Sequence, residues 1–165
     1  MAPPYRHGTL IFRLRPIIPN EKDASMKILV AADGSAYTKR MLAYLAAHDE
    51  WMGDHHQYTV LTVVPAVPAR AASALDKDIL KSHYADEAEK VFKPIRTFLG
   101  KQKLTADYVS KVGPAGDHIA ALADKGGYDL LVMGSHGHGT LGNLVMGSVV
   151  TKVMAHTKVP MLIVR

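Results

Sequence analysis

Cysteine is absent from the chain, which excludes disulfides, thiolate metal sites and thiol catalysis together. The absence suits a reducing compartment. Aromatic residues are also scarce, at 7%. The lysines and arginines outside the N-terminal stretch are scattered among acids, with no basic run and no interleaved aromatics of the kind that track single-stranded nucleic acid. A nucleic-acid groove is therefore not expected, although a net charge of +5 is compatible with anion binding. No apolar run approaches the ~18 residues that span a membrane. The opening MAPPYRHGTLIFRLRPIIPNEKDAS has no uninterrupted apolar core and no small-residue cleavage pattern, so it makes a poor signal peptide. The expected location is the cytoplasm.

What is present reads as one soluble domain. At 165 residues, 48% of them hydrophobic and 21% charged, the chain can bury one sizeable core and is short for two. Residues 1–25 carry Arg6, Arg13, Arg15 and Lys22 against Glu21 and Asp23, a balance of +2. Their prolines interrupt any amphipathic helix. They are expected to be a flexible or loosely docked extension ahead of a domain at 26–165, with Met26 a candidate natural start.

From Met26 the pattern alternates. KILVAA (27–32) is a short continuous apolar run, as in a strand buried on both faces. Asp33-Gly34-Ser35 then reads as a turn and cap, and Met41, Leu42, Leu45 and Ala46 stripe a helix that should end near Gly53. QYTVLTVVP (57–65) is a second strand rich in β-branched residues. AVPARAAS (66–73) reads as a linker. A long helix is expected over about 74–99, striped by Leu80, Tyr84, Ala88, Val91, Ile95 and Phe98, with Pro94 kinking or dividing it. ADYVSKV (106–112) is a third strand. GPAGDHIAALADKGG follows as a turn, a helix and a glycine stop. YDLLVM (128–133) is the fourth strand, 144–156 the last helix and VPMLIVR the fifth strand. Such alternation implies right-handed crossovers and a doubly wound, mostly parallel α/β sheet with helices on both faces.

In open α/β sheets ligands bind beyond the carboxyl ends of the strands. The richest candidate there is MGSHGHGTLGN (133–143), with four glycines in eleven residues. Read as Gly137-His138-Gly139-Thr140-Leu141-Gly142 it matches G-x-G-x-x-G. The acidic ribose partner expected about 20 residues on is missing, however, because the chain stops after MLIVR. No Gly-Lys-(Ser/Thr) phosphate loop exists. A response-regulator reading lacks both the aspartate after strand 3 and the lysine after strand 5.

The other spacing is Gly134-x2-Gly137-x9-Gly147-Ser148. Glycines at 134 and 137 would let backbone approach a phosphate or ribose, and they tolerate positive φ. Gly147 and Ser148 fall in the first turn of the last helix, where unpaired N–H groups and the helix dipole favour an anion. With MKILVAADGS, LTVVP, VGPAGDHI, DLLVMGSHG and GSVVTKVMAHTKVPMLIV, this G-x2-G-x9-G-(S/T) spacing resembles the universal stress protein family over residues 26–165. The resemblance places the chain with the ATP-binding members.

The resemblance implies a single five-stranded parallel sheet of order 3-2-1-4-5. It also implies contacts to an adenine nucleotide (ATP, or ADP or AMP) from Ala31, Ala32, Asp33, Val63, Met133, Gly134, His136, Gly137, Gly147, Ser148 and Val149. Magnesium would be held through the bound nucleotide, with Asp33 the protein group nearest to it. A homodimer through the edge strand 161–165 is expected from the same likeness, and would cover a bare apolar edge.

Blander readings stand beside these. Asp33 can be a helix cap, and Ser148 a plain first-turn residue. His136 and His138 have no evident third ligand for a metal. His55-His56 reads as a solvated loop pair. Met41, Met146 and Met154 read as packing, and Lys39, Arg40 and Lys152 as solvated helix faces. No Ser/His/Asp set or carboxylate pair stands out, and no lysine or arginine lies within the glycine motif, so hydrolysis should be slow. The expected function is that of an ATP-binding stress or signalling module. The alternatives are a slow magnesium-dependent ATPase and a nucleotide-free interaction dimer.

Overall fold

The computed structural model describes residues 25–48, 53–139 and 146–165. Five strands form one all-parallel sheet: β1 (Lys27–Ala31), β2 (Gln57–Val64), β3 (Ala106–Val112), β4 (Leu130–Gly134) and β5 (Met161–Val164), in the order β3-β2-β1-β4-β5. The helices are α1 (Ala36–Ala47), α2 (Ala69–Ala72), α3 (Lys77–Lys101), α4 (Ala115–Lys125) and α5 (Ser148–His156). The expected fold class and strand order are both present.

β1 is the central strand, and every residue of it after Lys27 is buried. Alternate side chains go to opposite faces. Ile28, Val30 and Ala32 meet Met41, Leu42 and Leu45 of α1 and Phe92 and Ile95 of α3. Leu29 and Ala31 meet Ile119 and Ala123 of α4 and Val150 and Val153 of α5. Register pairs Ala31 with Leu61 and Met133, so β1, β2 and β4 all end at the carboxyl edge of the sheet, with β2 running three residues further, to Val64. The three turns that carry the sequence motifs start from that edge.

Several expectations shift. The linker at 66–73 contains the one-turn helix α2. Pro94 neither ends nor divides α3, which runs unbroken to Lys101. It faces solvent, where water can take up the carbonyl that loses its N–H partner. α1 ends at Ala47, and α5 begins at Ser148 rather than 144. The start proposed at 144, Thr140, Leu141 and Gly142 of the dinucleotide motif, and the extension up to residue 24 lie outside the described residues. His56 is buried rather than solvated, at 8% exposure, because its Nδ1 accepts the Met26 N–H at 3.1 Å and joins the entry of β1 to β2. Met154 is 51% exposed and packs into neither core nor cavity, since Val150 and Val153 occupy the inward stripe of α5.

Candidate functional site

The turn after β1 is built by Asp33. Its Oδ1 accepts the Ser35 N–H and the Thr38 hydroxyl, each at 2.9 Å. Ser35, rather than Asp33, is the N-cap of α1, its Oγ accepting from Thr38 N. Gly34 has φ +80°, a conformation that excludes most side chains. Asp33 thus shapes the turn with one oxygen and leaves the other facing the loop after β4.

That loop approaches closely. A Cβ on Gly137 would stand 2.5 Å from Asp33 Oδ2. His138 Nε2 lies 2.8 Å from the Asp33 carbonyl oxygen. A carbonyl only accepts, so Nε2 carries the proton. His136 Nδ1 lies 3.0 Å from Ser135 Oγ, and its ring centroid is 5.0 Å from that of Tyr37. Both imidazoles are thereby engaged in holding the loop, and no cluster of three or more His, Asp or Glu side chains able to hold a metal occurs among the described residues.

The three motif glycines serve close packing. None is among the positive-φ glycines, which are Gly34, Gly113 and Gly127 among the described residues. A Cβ on Gly134 would come within 2.8 Å of Tyr37 Cβ, and one on Gly147 within 3.2 Å of Ser135 O and His136 Cα. Gly147 also donates its N–H to Ser135 O at 2.8 Å. The strand tip and the helix start are therefore bonded to each other. Gly147 is the N-cap of α5 and Ser148 its first helical residue, so the N–H groups of Ser148, Val149 and Val150 lack the carbonyl four residues back.

Between these elements lies a cavity of about 440 Å³, within the ~300–1,000 Å³ range of small-molecule sites. All eleven residues singled out from the sequence line it. Ala31, Ala32 and Asp33 contribute from β1 and its turn, and Val63 from β2. Met133, Gly134, His136 and Gly137 contribute from β4 and its loop, and Gly147, Ser148 and Val149 from the start of α5. Sequence reasoning missed Thr38, Thr62, Glu87 and Val91, which also line it. Glu87 and Val91 stand four apart on α3, a helical spacing that faces one direction. Thr62 was the one polar residue in VLTVV. Neither signal distinguishes a site from an ordinary core position.

The charged lining is acidic. Asp33 and Glu87 line the cavity, and no lysine or arginine does so among the described residues. The hydrogen bond from Lys90, with its positive charge, holds the Glu87 carboxyl below its ordinary range. The cavity can thus offer backbone N–H groups and hydroxyls to an anion, but no permanent cation.

The universal stress protein family model matches residues 25–165, and the chain belongs to that family. A universal stress protein of Thermus aquaticus is 32% identical over 84% of this chain and 97% of its own length. Universal stress protein Slr1230 of Synechocystis is 28% identical over 90% of this chain, and the match spans only 46% of that longer protein. Among solved structures, MJ0577, a universal stress protein of Methanocaldococcus jannaschii, superposes with TM-score 0.69 at 24% identity, over 84% of this chain and 94% of that one. An Arabidopsis thaliana family member with AMP bound superposes with TM-score 0.60 at 14% identity, over 84% and 90%. An Archaeoglobus fulgidus member in complex with dAMP does so with TM-score 0.51 at 20%, over 85% and 98%. At these identities the structural likeness is one of fold.

Proposed function

We propose that this chain is an adenine-nucleotide-binding universal stress protein that takes ATP, or ADP or AMP, in the cavity at the carboxyl edge of its sheet. The observation that carries the reading is the convergence of Gly134, Gly137, Gly147 and Ser148 on one cavity, with the open N–H groups of α5 beside them. Phosphate sits at the start of α5, where dipole and N–H groups favour it. The ribose lies by Asp33 and the base by Val63. The bound AMP and dAMP of two family members lend support by analogy.

The residues present fit such a ligand, and they set what magnesium could add. Asp33 and Glu87 can supply carboxylate oxygen at most, so a cation here would take its remaining ligands from phosphates and water. Its chemistry would be to neutralise phosphate charge, which no lysine or arginine among the described residues lines the cavity to do. A hydrolytic step would also need a group that orients water. We therefore read the protein as a cytoplasmic binding module with at most slow turnover. Among the described residues no helix is long and apolar enough to cross a membrane.

The edge strand β5 supports a further part of the reading. Met161, Leu162 and Ile163 are only half-buried, at an edge that no other strand among the described residues pairs. We assign this edge to a two-fold homodimer, which pairing across residues 161–165 would close. Sedimentation of the purified protein as a monomer at micromolar concentration would remove this assignment.

The direct experiment is calorimetric titration with ATP and magnesium, alongside Ser148→Asp. A carboxylate at the first position of α5 faces the phosphate as a like charge, which costs several kcal/mol. Affinity should fall by more than about a hundredfold, with the melting temperature nearly unchanged. A wild-type protein that binds no adenine nucleotide would leave the interaction-dimer reading in its place.

A further inference from the structure

Thr62 is 2% exposed and lies two residues before the end of β2. Its hydroxyl makes no hydrogen bond within the described structure. Every side-chain nitrogen or oxygen that is fully enclosed among the described residues does have a partner. The Thr62 hydroxyl therefore keeps its open surface, and the space that Thr62 borders is the cavity. A nearly buried hydroxyl without a protein partner costs free energy unless water or a ligand supplies one. A partner that enters with a ligand removes that cost.

Position in the sheet says which end of a ligand it meets. Tyr58, Val60 and Val64 belong to the core between the sheet and α1 and α3, and Thr62 shares their parity and so their face. On that side the cavity is bordered by Ala32, Thr38, Glu87 and Val91. The α5 start is bonded to the tip of β4, through the Gly147 N–H and Ser135 O, and β4 lies on the other side of β1 from β2. A nucleotide with its phosphate at Ser148 and its ribose by Asp33 brings its base to β2.

We propose that Thr62 is a specificity-determining residue of this site, its hydroxyl hydrogen-bonding the base end of the nucleotide in the lobe between β2 and α3. The inference rests on the nucleotide-binding reading above. It adds a contact on the α1–α3 face of the sheet, outside the glycine motif. The lobe bears the Glu87 carboxylate and the Thr38 and Thr62 hydroxyls, with no lysine or arginine lining it among the described residues, so it selects a neutral base edge over an anionic group.

Thr59 supplies the control. It too is buried, at 6%, and without a hydrogen bond, but it does not line the cavity. The experiment measures AMP and ATP affinity by calorimetry, and melting temperature, for wild type, Thr62→Val, Thr62→Ser and Thr59→Val. The isosteric Thr62→Val should lose roughly three- to tenfold in affinity for both nucleotides, the scale of one neutral hydrogen bond, without losing stability. Thr62→Ser keeps the hydroxyl and should retain affinity even where the valine variant fails to fold. Thr59→Val should bind as wild type does. Equal affinity in Thr62→Val and wild type overturns the inference and leaves the nucleotide reading standing. An equal loss in both valine variants overturns it too, because the effect would not be local. A wild type that binds neither nucleotide overturns both.

Discussion

The two ends of the sheet use similar residues in opposite ways. At the amino end every named carboxylate is committed to the fold. Asp129 Oδ2 accepts the Lys27 N–H at 2.8 Å. Asp124 Oδ1 accepts the Thr157 hydroxyl at 2.7 Å and the Lys158 N–H at 3.0 Å. Lys27 Nζ donates to the Gly126 carbonyl and stands 4.7 Å over the Tyr128 ring. At the carboxyl end, one oxygen of Asp33 faces a loop, the first turn of α5 is open, and the Thr62 hydroxyl has no partner among the described residues. Side chains of the same kinds close the fold at one end and leave binding capacity at the other. The amino end also has a surface depression, lined by Asp124, Tyr128, Asp129 and Lys158, but both of its carboxylates already accept hydrogen bonds within the fold.

The largest effect that separates the ends should come from Gly126→Ala. Gly126 is the C-cap of α4, and a Cβ there would stand 2.7 Å from the Leu122 carbonyl oxygen and overlap the Tyr128 ring. The backbone oxygen cannot move aside as a side chain can. Destabilisation of about 1–3 kcal/mol is expected, read as a lower melting temperature by roughly 2–4 °C per kcal/mol at this size. Nucleotide affinity should be unchanged. A loss of affinity at constant stability would erase the proposed division of labour.

Gly137→Ala should do the reverse. Its Cβ would meet Asp33 Oδ2 at 2.5 Å, and the obstacle is a side-chain oxygen that can swing away. Stability should therefore change by less than about 1 kcal/mol, as expected when the obstructing group can relax. The displaced carboxylate would cost about tenfold in nucleotide affinity, the loss of one charge-assisted hydrogen bond. Gly139→Ala is the matched control, since among the described residues no atom beyond its chain neighbours lies within 4 Å of its Cβ position. Titrations of the two variants side by side make the test. If both behave alike, the close approach of Gly137 to Asp33 is irrelevant to binding.

This contrast also explains how far the sequence could be read. The carboxyl end was legible because its glycines sit at fixed intervals beside an apolar strand and a helix start, and Gly134, Gly137, Gly147 and Ser148 do converge. Their physical reason was less legible. Close backbone approach to a ligand, with tolerance of positive φ, was the expected justification, whereas contacts with Tyr37, Asp33 and His136 are what the fold imposes. Contacts between elements about 100 residues apart leave no local pattern. For the same reason Thr62 and Glu87 read as strand and helix residues until the fold placed them at the cavity, and His56 read as a loop residue until the sheet brought Met26 to it. Pro94 shows the opposite error, a strong local rule relaxed by solvent exposure.

The smallest effect belongs to the amino end and is a matter of pH. The Thr157 hydroxyl, and then the Lys158 N–H, hold the Asp124 carboxyl below its ordinary value. A carboxyl whose value is lowered by folding contributes stability that is fully present above the unfolded-state value of about 3.9. That contribution is lost as the pH falls through the lowered folded-state value. Asp124→Asn keeps an oxygen acceptor and removes the charge. Its melting temperature should fall slightly below that of wild type at neutral pH, and the gap should close in acid. Asp117 is also lowered, by the Lys152 hydrogen bond and charge, but it is common to both proteins and cancels in the difference. A gap that persists unchanged below the folded-state value would mean that the hydrogen-bond geometry, and not the charge, is what Asp124 contributes to the junction of α5 and β5.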